Sequence, residues 1–405
     1  GRTPSTWTMH PSTKTPLSDE LRRLVGQSVT AIDTPALVID LDAMQRNLAR
    51  MAEFARKHDV RWRPHAKMHK SSAIARLQMQ AGAVGVCVQK TSEAEAMVAG
   101  GVTDVYISNE VVSPAKLARV ADLAHRMAAE NGQLAIAVDS VEGVHRLANA
   151  MDDRRRTGQA AVIDVFIEID VGQGRCGVRP GRAALDLALA IRRHPALRFA
   201  GLQAYHGRAQ HLRTPQARRD AIAQAVQDVL FTRKTIEAEG IPVDLVTGAG
   251  TGSMVCEAAS GVYGELQAGS FLFMDADYAA NAHDPAQPQF EHALFVKSQV
   301  MSSGLLHAVC DAGHKAHAID SGLPAVLTRE PTGELEFANG GDEHGLLRPK
   351  GGNQRVPRLD EAVWLIPGHC DPTVNLHNFL VGVTGGLDNG RVDKIIRVDA
   401  RGALT

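Results

Sequence analysis

The chain has 405 residues, 44% of them hydrophobic and 22% charged, with a formal net charge of −1. That is the composition of a folded, enzyme-sized protein too long for one ordinary domain, and it gives no electrostatic case for nucleic acid or an anionic membrane. No run approaches eighteen consecutive apolar residues, so no membrane-spanning segment is expected.

Residues 1–27 are expected to be a flexible leader. As far as about Pro16 they are polar and rich in Thr, Ser and Pro, without the apolar core of a signal peptide. The five cysteines (Cys87, Cys176, Cys256, Cys310, Cys370) are odd in number, scattered, and form no C-x-x-C pair. They argue against a disulfide framework or a structural zinc knuckle and for a reducing, cytoplasmic location.

Residues 34–40 read as a strand and 42–58 as an amphipathic helix. A rhythm follows, with strand-like runs at 61–66, 85–89, 104–108, 134–139, 163–170, 199–206, 243–247 and 265–269, separated by helical patterns. Ser92 with Glu95 reads as a capping box, Pro114 as a first-turn proline, and 183–193 and 217–240 as long amphipathic helices. Eight strands alternating with helices predict an α/β fold, a closed (β/α)8 TIM-type barrel over residues 42–280. An open doubly wound sheet competes less well, because no G-x-G-x-x-G follows the first strand. After about Asn281, short apolar or alternating runs at 290–301, 305–311, 325–328, 362–366, 379–384 and 395–399 lie between turn residues. They predict a mostly β second domain over 281–405.

A barrel of this kind builds its active site at the carboxyl ends of its strands. Lys67 closes the first run, among Arg63, His65, His69 and Lys70. Neighbouring positive charge favours a free amine, which can condense with an aldehyde; a basic loop closing a strand is the plain alternative. Other strand ends bring Gln89, Arg175, Tyr205, His206 and His211, then Thr247-Gly248-Ala249-Gly250-Thr251-Gly252-Ser253 and Gly269-Ser270. The last two loops follow strands seven and eight, where barrels commonly bind phosphate through backbone N–H groups. A phosphate cup and an aldehyde-trapping lysine suggest pyridoxal phosphate, with Tyr205 a candidate partner for the pyridine nitrogen or simply a barrel-lining tyrosine. Arg175, in a Gly-rich loop, could reach the cofactor or a substrate carboxylate, or form a surface salt bridge. His206 and His211 are candidate acid–base groups or structural histidines. In an extended segment His369 and Asp371 face the same way, a nitrogen–oxygen pair suited to a divalent metal, although Asp-Pro is also a turn signal. His314, Lys315, His317 and His344 are further candidates for reading a second carboxylate.

Taken together, Pro64-His-Ala-Lys67, Glu168-Ile-Asp-Val-Gly-Gln-Gly-Arg-Cys-Gly177, Gln203-Ala-Tyr-His-Gly207 with Gln210-His211, Thr247-Gly-Ala-Gly-Thr-Gly252 and His369-x-Asp371 resemble metal-dependent D-threonine aldolases. These sit in a wider set with 3-hydroxy-D-aspartate aldolases and eukaryotic-type D-serine dehydratases, all of the alanine-racemase-like fold (type III among pyridoxal phosphate folds). The likeness runs from about residue 30 to the C-terminus. It implies pyridoxal phosphate on Lys67 with Tyr205 at the pyridine nitrogen; Gln89, Arg175, Thr247, Gly248, Gly250, Thr251, Gly269 and Ser270, read from the strand ends and loops, are the further candidate contacts. It also implies a metal on His369 and Asp371 (manganese first, then magnesium, cobalt or zinc) and His211 as base at a β-hydroxyl. The β domain should recruit residues 28–41, and the protein should form a homodimer. The implied reaction is retro-aldol cleavage of a small D-β-hydroxy-α-amino acid to glycine and an aldehyde. Cleavage of 3-hydroxy-D-aspartate, dehydration of D-serine or D-threo-3-hydroxyaspartate, and non-catalytic carriage of the cofactor are the alternatives. Dehydratases of this set pair the metal histidine with a cysteine two residues on; Asp371 stands there in this chain and favours the aldol course.

Overall fold

The computed structural model describes residues 16–155, 160–330, 332–351 and 355–405. Strand β1 (Ala36–Asp40) ends at Asp40, whose carboxylate accepts from Ala43 N and so caps the helix Leu41–Lys57. Eight short strands follow: β2 (Arg61–Trp62), β3 (Val86–Val88), β4 (Asp104–Ile107), β5 (Gln133–Val138), β6 (Ile163–Glu168), β7 (Leu197–Gln203), β8 (Val246–Gly248) and β9 (Glu265–Leu266). They form one parallel sheet in the order β2-β9-β8-β7-β6-β5-β4-β3. The two end strands meet as well: Val84 N donates to Trp62 O (2.9 Å), Cys87 N donates to Pro64 O (3.0 Å), and His65 bridges Cys87. The sheet is therefore a closed (β/α)8 barrel. Cys87, Tyr106, Ala135, Ala137, Phe166 and Ala200 fill its interior, and the helices bury their apolar stripes on its outside.

A buried charge sits on the seam. Glu265 is fully buried and accepts from Arg63 Nε (3.1 Å), Arg61 Nε (2.9 Å) and Thr247 Oγ1 (2.9 Å), while Arg63 Nη1 donates to Asp104 Oδ1 (2.7 Å). The network ties β2 and β9 to β8 and β4.

The second sheet is built around β1, which runs antiparallel to β10 (Leu294–Ser303) and parallel to β16 (Phe379–Thr384). Strand β16 pairs with β17 (Arg391–Arg397), and β10 pairs with β11 (Ala308–Cys310) and β15 (Ala362–Ile366). β12 (Ala325–Val326) adds to β15, and β13 (Leu335–Asn339) pairs with β14 (Gly345–Pro349), which pairs with β11. At the junction Asn47 is fully buried: Nδ2 donates to Leu272 O (2.9 Å) and Glu291 O (2.8 Å), and Oδ1 accepts from Glu291 N (2.9 Å).

Several expectations change. Of the expected leader, residues 1–15 lie outside the described residues, but Asp19–Leu24 is a helix capped by Ser18, with acids in its first turn and arginines in its last. Behind it, Gly26 N donates to Val392 O (2.8 Å), which holds this segment to β17. The helix expected at Ser92 starts at Thr91. Glu93, not Glu95, closes its first turn by accepting from Lys90 N (3.0 Å), and Glu95 pairs with Arg119 instead. Leu305 and Leu306 form the exposed turn between β10 and β11 rather than strand. Strands β13 and β14, hidden among Gly, Asn and Asp, owe their form to pairing with each other.

Two outcomes follow for stability. Arg63→Met should cost roughly 3–5 kcal/mol in chemical denaturation by stranding buried Glu265, and Arg61→Met, at a half-exposed side chain, far less. His69 and His317 are buried, and burial first of all pushes each down to about 4. The unfolded chain takes up these protons near pH 6.5, so stability holds above that pH and falls as pH drops toward 4, by on the order of 2–3 kcal/mol for each histidine. His317→Leu should flatten the slope of unfolding free energy against pH in that window.

Candidate active site

At the carboxyl ends of the barrel strands lies a cavity of about 390 Å³ whose far wall comes from the second sheet's loops. Lys67 projects into it from a single 3-10 turn (Ala66–Met68) whose flanking side chains are buried. The cationic cluster expected around Lys67 is dispersed. Arg63 is spent on Glu265 and Asp104, and Lys70 Nζ donates to Asn375 Oδ1 (3.2 Å) and Ala403 O (3.4 Å). His69 is buried between Ser71 N (3.0 Å) and Gln78 Oε1 (3.1 Å). His65 is held neutral, by burial first and then by the charge of Lys67. His65 Nδ1 accepts from Lys67 N (3.3 Å), and its Nε2 is hydrogen-bonded to the Gln89 side-chain amide (2.8 Å). Gln89 therefore lines the cavity with its amide already engaged.

One end of the cavity is made of backbone. Gly250, Thr251, Gly269 and Ser270 line it, and among the described residues none of their amides donates to a protein acceptor. Thr251 Oγ1 accepts from Phe271 N (2.9 Å) and joins the two loops, while Gln210 and Ser253 brace the first from behind (Gln210 Nε2 to Ser253 Oγ, 2.7 Å). A Cβ on Gly250 would meet Gln210 Oε1 at 2.6 Å, and one on Gly269 would meet His65 O at 2.6 Å. Free, converging amides of this kind suit a phosphate. Thr247 and Gly248 do not line the cavity. Thr247 Oγ1 accepts from Gln267 Nε2 (2.8 Å) and donates to Glu265, within a floor that continues through Gln203 to Tyr106 OH (2.8 Å). Tyr205 lines the wall, and burial pushes its phenol up, so it keeps its proton. An amine, a phosphate cup and a phenol donor in one cavity fit pyridoxal phosphate.

Arg175 lines the cavity from its Gly-rich loop. Its charge acts on two carboxyls that the sequence does not mark as a pair, Glu110 and Glu168, which lie with Cys176 Sγ within 4.8 Å of one another. Neither oxygen of Glu110 meets a donor among the described residues. Burial, then Glu168, raises Glu110 far above the carboxylate range, so the pair carries a proton at neutral pH.

On the far wall His369 precedes a short helix (Cys370–Val374), so Asp371 sits in a helical first turn rather than the extended segment expected. His369 Nε2 still lies 3.8 Å from Asp371 Oδ1, a buried oxygen without a hydrogen-bond partner among the described residues. His369 Nδ1 lies 2.9 Å from Asp320 Oδ2, which leaves Nε2 for a metal, the carboxylate–histidine arrangement common behind such ligands. Cys370 turns away, its Sγ donating to Met274 O (3.3 Å). The pair fits a divalent ion with open positions. His211 lines the same cavity, with Nδ1 at 2.8 Å from Asp277 Oδ2. His206 does not: its Nδ1 accepts from Ala209 N (3.4 Å). His314 and Lys315 pair with Asp342 (2.7 Å) and Glu343 (2.8 Å), His317 is buried, and neither they nor His344 line the cavity.

Comparison with known proteins agrees with this geometry. Residues 39–277 match the family described as alanine racemase, N-terminal domain, and residues 293–383 the one described as a putative serine dehydratase domain. The chain is 44% identical over 378 residues to a D-threonine aldolase of an Arthrobacter species, covering 93% of this chain and 95% of that one. It is 40% identical over 390 residues to a 3-hydroxy-D-aspartate aldolase of Paracoccus denitrificans (strain Pd 1222), covering 95% and 96%. The crystal structure of D-threonine aldolase from Filomicrobium marinum superposes with a TM-score of 0.87 at 44% identity, over 94% of this chain and 99% of that one. The chain belongs to the D-threonine aldolase family.

Within this D-threonine aldolase family site, Gln173, Gln203, Arg208, Gln267, Tyr278 and Ser321 also line the cavity and were missed from sequence. Gln173 and Gln203 stand inside the quoted motifs without being marked there as site residues, whereas Arg208, Gln267, Tyr278 and Ser321 have no motif, and only folding brings them together. Gly269→Ala should weaken pyridoxal phosphate binding at least about tenfold in an equilibrium titration, since the methyl must displace the His65 carbonyl two residues from Lys67.

Proposed function

We propose that this protein cleaves D-β-hydroxy-α-amino acids of the D-threonine type to glycine and an aldehyde, with pyridoxal phosphate on Lys67 and a divalent metal on His369 and Asp371. The observation that carries the reading is the buried oxygen of Asp371 beside His369 Nε2, without a hydrogen-bond partner among the described residues, in the same cavity as the Lys67 amine. Pyridoxal phosphate, when bound, supplies an electron sink for charge developing at Cα, and a metal supplies a Lewis acid at the β-oxygen. Gly250, Thr251, Gly269 and Ser270 would hold the phosphate, and the protonated Tyr205 can donate to the pyridine nitrogen. His369 and Asp371 would hold the metal in the wall that faces the substrate. His211 takes the β-hydroxyl proton. Among the described residues no helix is long and apolar enough to cross a membrane, and all five cysteines are free, which supports a reducing compartment. The homodimer is carried forward on the family resemblance.

The purified protein should be yellow, and Lys67→Ala should lose the covalently trapped cofactor after borohydride reduction. D-Threonine or D-phenylserine should yield glycine and an aldehyde, with the L-isomers inert. Chelation should abolish turnover while the cofactor absorbance stays. Ammonia and a 2-oxo acid as main products would overturn the aldolase reading in favour of a dehydratase.

One observation favours 3-hydroxy-D-aspartate as a second substrate. Arg208 lines the cavity mouth, exposed, and no hydrogen bond or ion pair engages it among the described residues. A free guanidinium there can take a β-carboxylate. Arg208→Ala should then lower kcat/KM for D-3-hydroxyaspartate by roughly 10- to 100-fold and leave D-threonine within about twofold.

A further inference from the structure

A segment of four residues ties the His211 side of the cavity to the metal-binding turn. Asp275 begins it, fully buried: Oδ1 accepts from Tyr278 N (3.0 Å) and caps the short helix Ala276–Ala279, and Oδ2 accepts from Cys370 N (3.1 Å), between His369 and Asp371. Ala276 N donates to Pro367 O (3.0 Å) and Asp277 N to Gly368 O (3.2 Å), so the backbone of this helix is stitched to the strand that delivers His369. On its other side the helix presents the Asp277 carboxylate. Oδ2 lies 2.8 Å from His211 Nδ1, and Oδ1 accepts from Arg213 Nη2 (2.9 Å). Arg213 Nη1 also donates to the Asp277 carbonyl (2.9 Å) and to Asn281 Oδ1 (2.7 Å), so the guanidinium spans the helix and holds the carboxylate in one orientation. The ring of Tyr278 packs on the His211 ring at 5.6 Å.

A carboxylate only accepts hydrogen bonds, so the His211 nitrogen facing it must carry a proton. In the neutral imidazole this leaves Nε2 bare, the one nitrogen able to take a proton from a substrate. We propose that Asp277 is the positioning residue for His211, fixing its Nδ1–H tautomer and ring direction while the segment that carries it registers this base against the metal-binding turn. The proposal rests on the reading of His211 as the base. Arg213 anchors the device, and Asp277 stands behind His211 rather than in the cavity lining.

The test uses the cofactor- and metal-loaded enzyme with D-threonine, together with 15N-histidine NMR of the same protein. In the wild type the His211 signals should report a protonated Nδ1 and a bare Nε2. Asp277→Asn, whose amide can donate as well as accept, should mix or reverse that pattern. It should also lower kcat by about 100-fold or more, with KM within about threefold, the scale of a positioned base. Cofactor absorbance and bound metal should be unchanged, and the Asp277→Asn/His211→Ala double variant should be no slower than His211→Ala alone. A bare Nδ1 in the wild type overturns the proposal and needs no variant to fold. So does an Asp277→Asn enzyme with wild-type kcat, or additive losses in the double variant. A His211→Ala enzyme of full activity overturns the base assignment itself, a failure told apart because the tautomer is read independently of turnover.

Discussion

A carboxylate with no access to water holds the barrel's seam. Glu265 would cost several kcal/mol left alone in that interior, and Arg61, Arg63 and the Thr247 hydroxyl together satisfy it. Arg61 lies on β2 and Arg63 directly after it, in the segment that leads to Lys67, and Thr247 belongs to the strand that leads into the anion-binding loop. Neutralising one buried charge therefore fixes where the amine and the phosphate cup begin. The same requirement takes Arg63 out of the electrostatics around Lys67, while burial strips His65 and His69 of theirs. Of the cations that its sequence gathers round Lys67, Arg63 is paired away, His65 and His69 are neutral, and Lys70 is turned to Asn375 and Ala403.

Much of the architecture was legible because it rests on local periodicity. Each of the eight barrel runs became a parallel strand, and the strand at 34–40 formed as read, since both depend on short apolar stretches between turn and cap residues. What escaped notice depends on partners distant in the chain. β13 and β14 have weak strand character and exist as a pair, and Glu93 was overlooked because Ser92 and Glu95 matched the motif two residues further on.

The site shows the same division. Lys67, Tyr205, Gly250, Thr251, Gly269, Ser270, His369 and Asp371 stand on motifs and line one cavity. Thr247 and Gly248 belong to the same motif but work beneath it, because they are still within β8 while Gly250 and Thr251 lie in the loop above it. Asp320, Asp275 and Asp277 carry no spacing signal at all, and nothing in the sequence pairs Glu110 with Glu168. Their significance comes from what they touch: a histidine nitrogen, a backbone amide, another carboxyl. Polar groups that orient others are invisible until the groups they orient have positions.

The place of β1 has a consequence for how the molecule comes into being. This strand lies in the middle of the second sheet, between β10 and β16, yet it is made first, and its partner pairing joins Ile39 to Leu294. On the ribosome it must wait, one apolar edge uncovered, until the whole barrel has emerged and β10 follows. Such long-range closure is slow and favours order of assembly over independence of parts. The β domain is thus not one continuous stretch of chain: its sheet is complete only when β1, made before the barrel, is built into its middle.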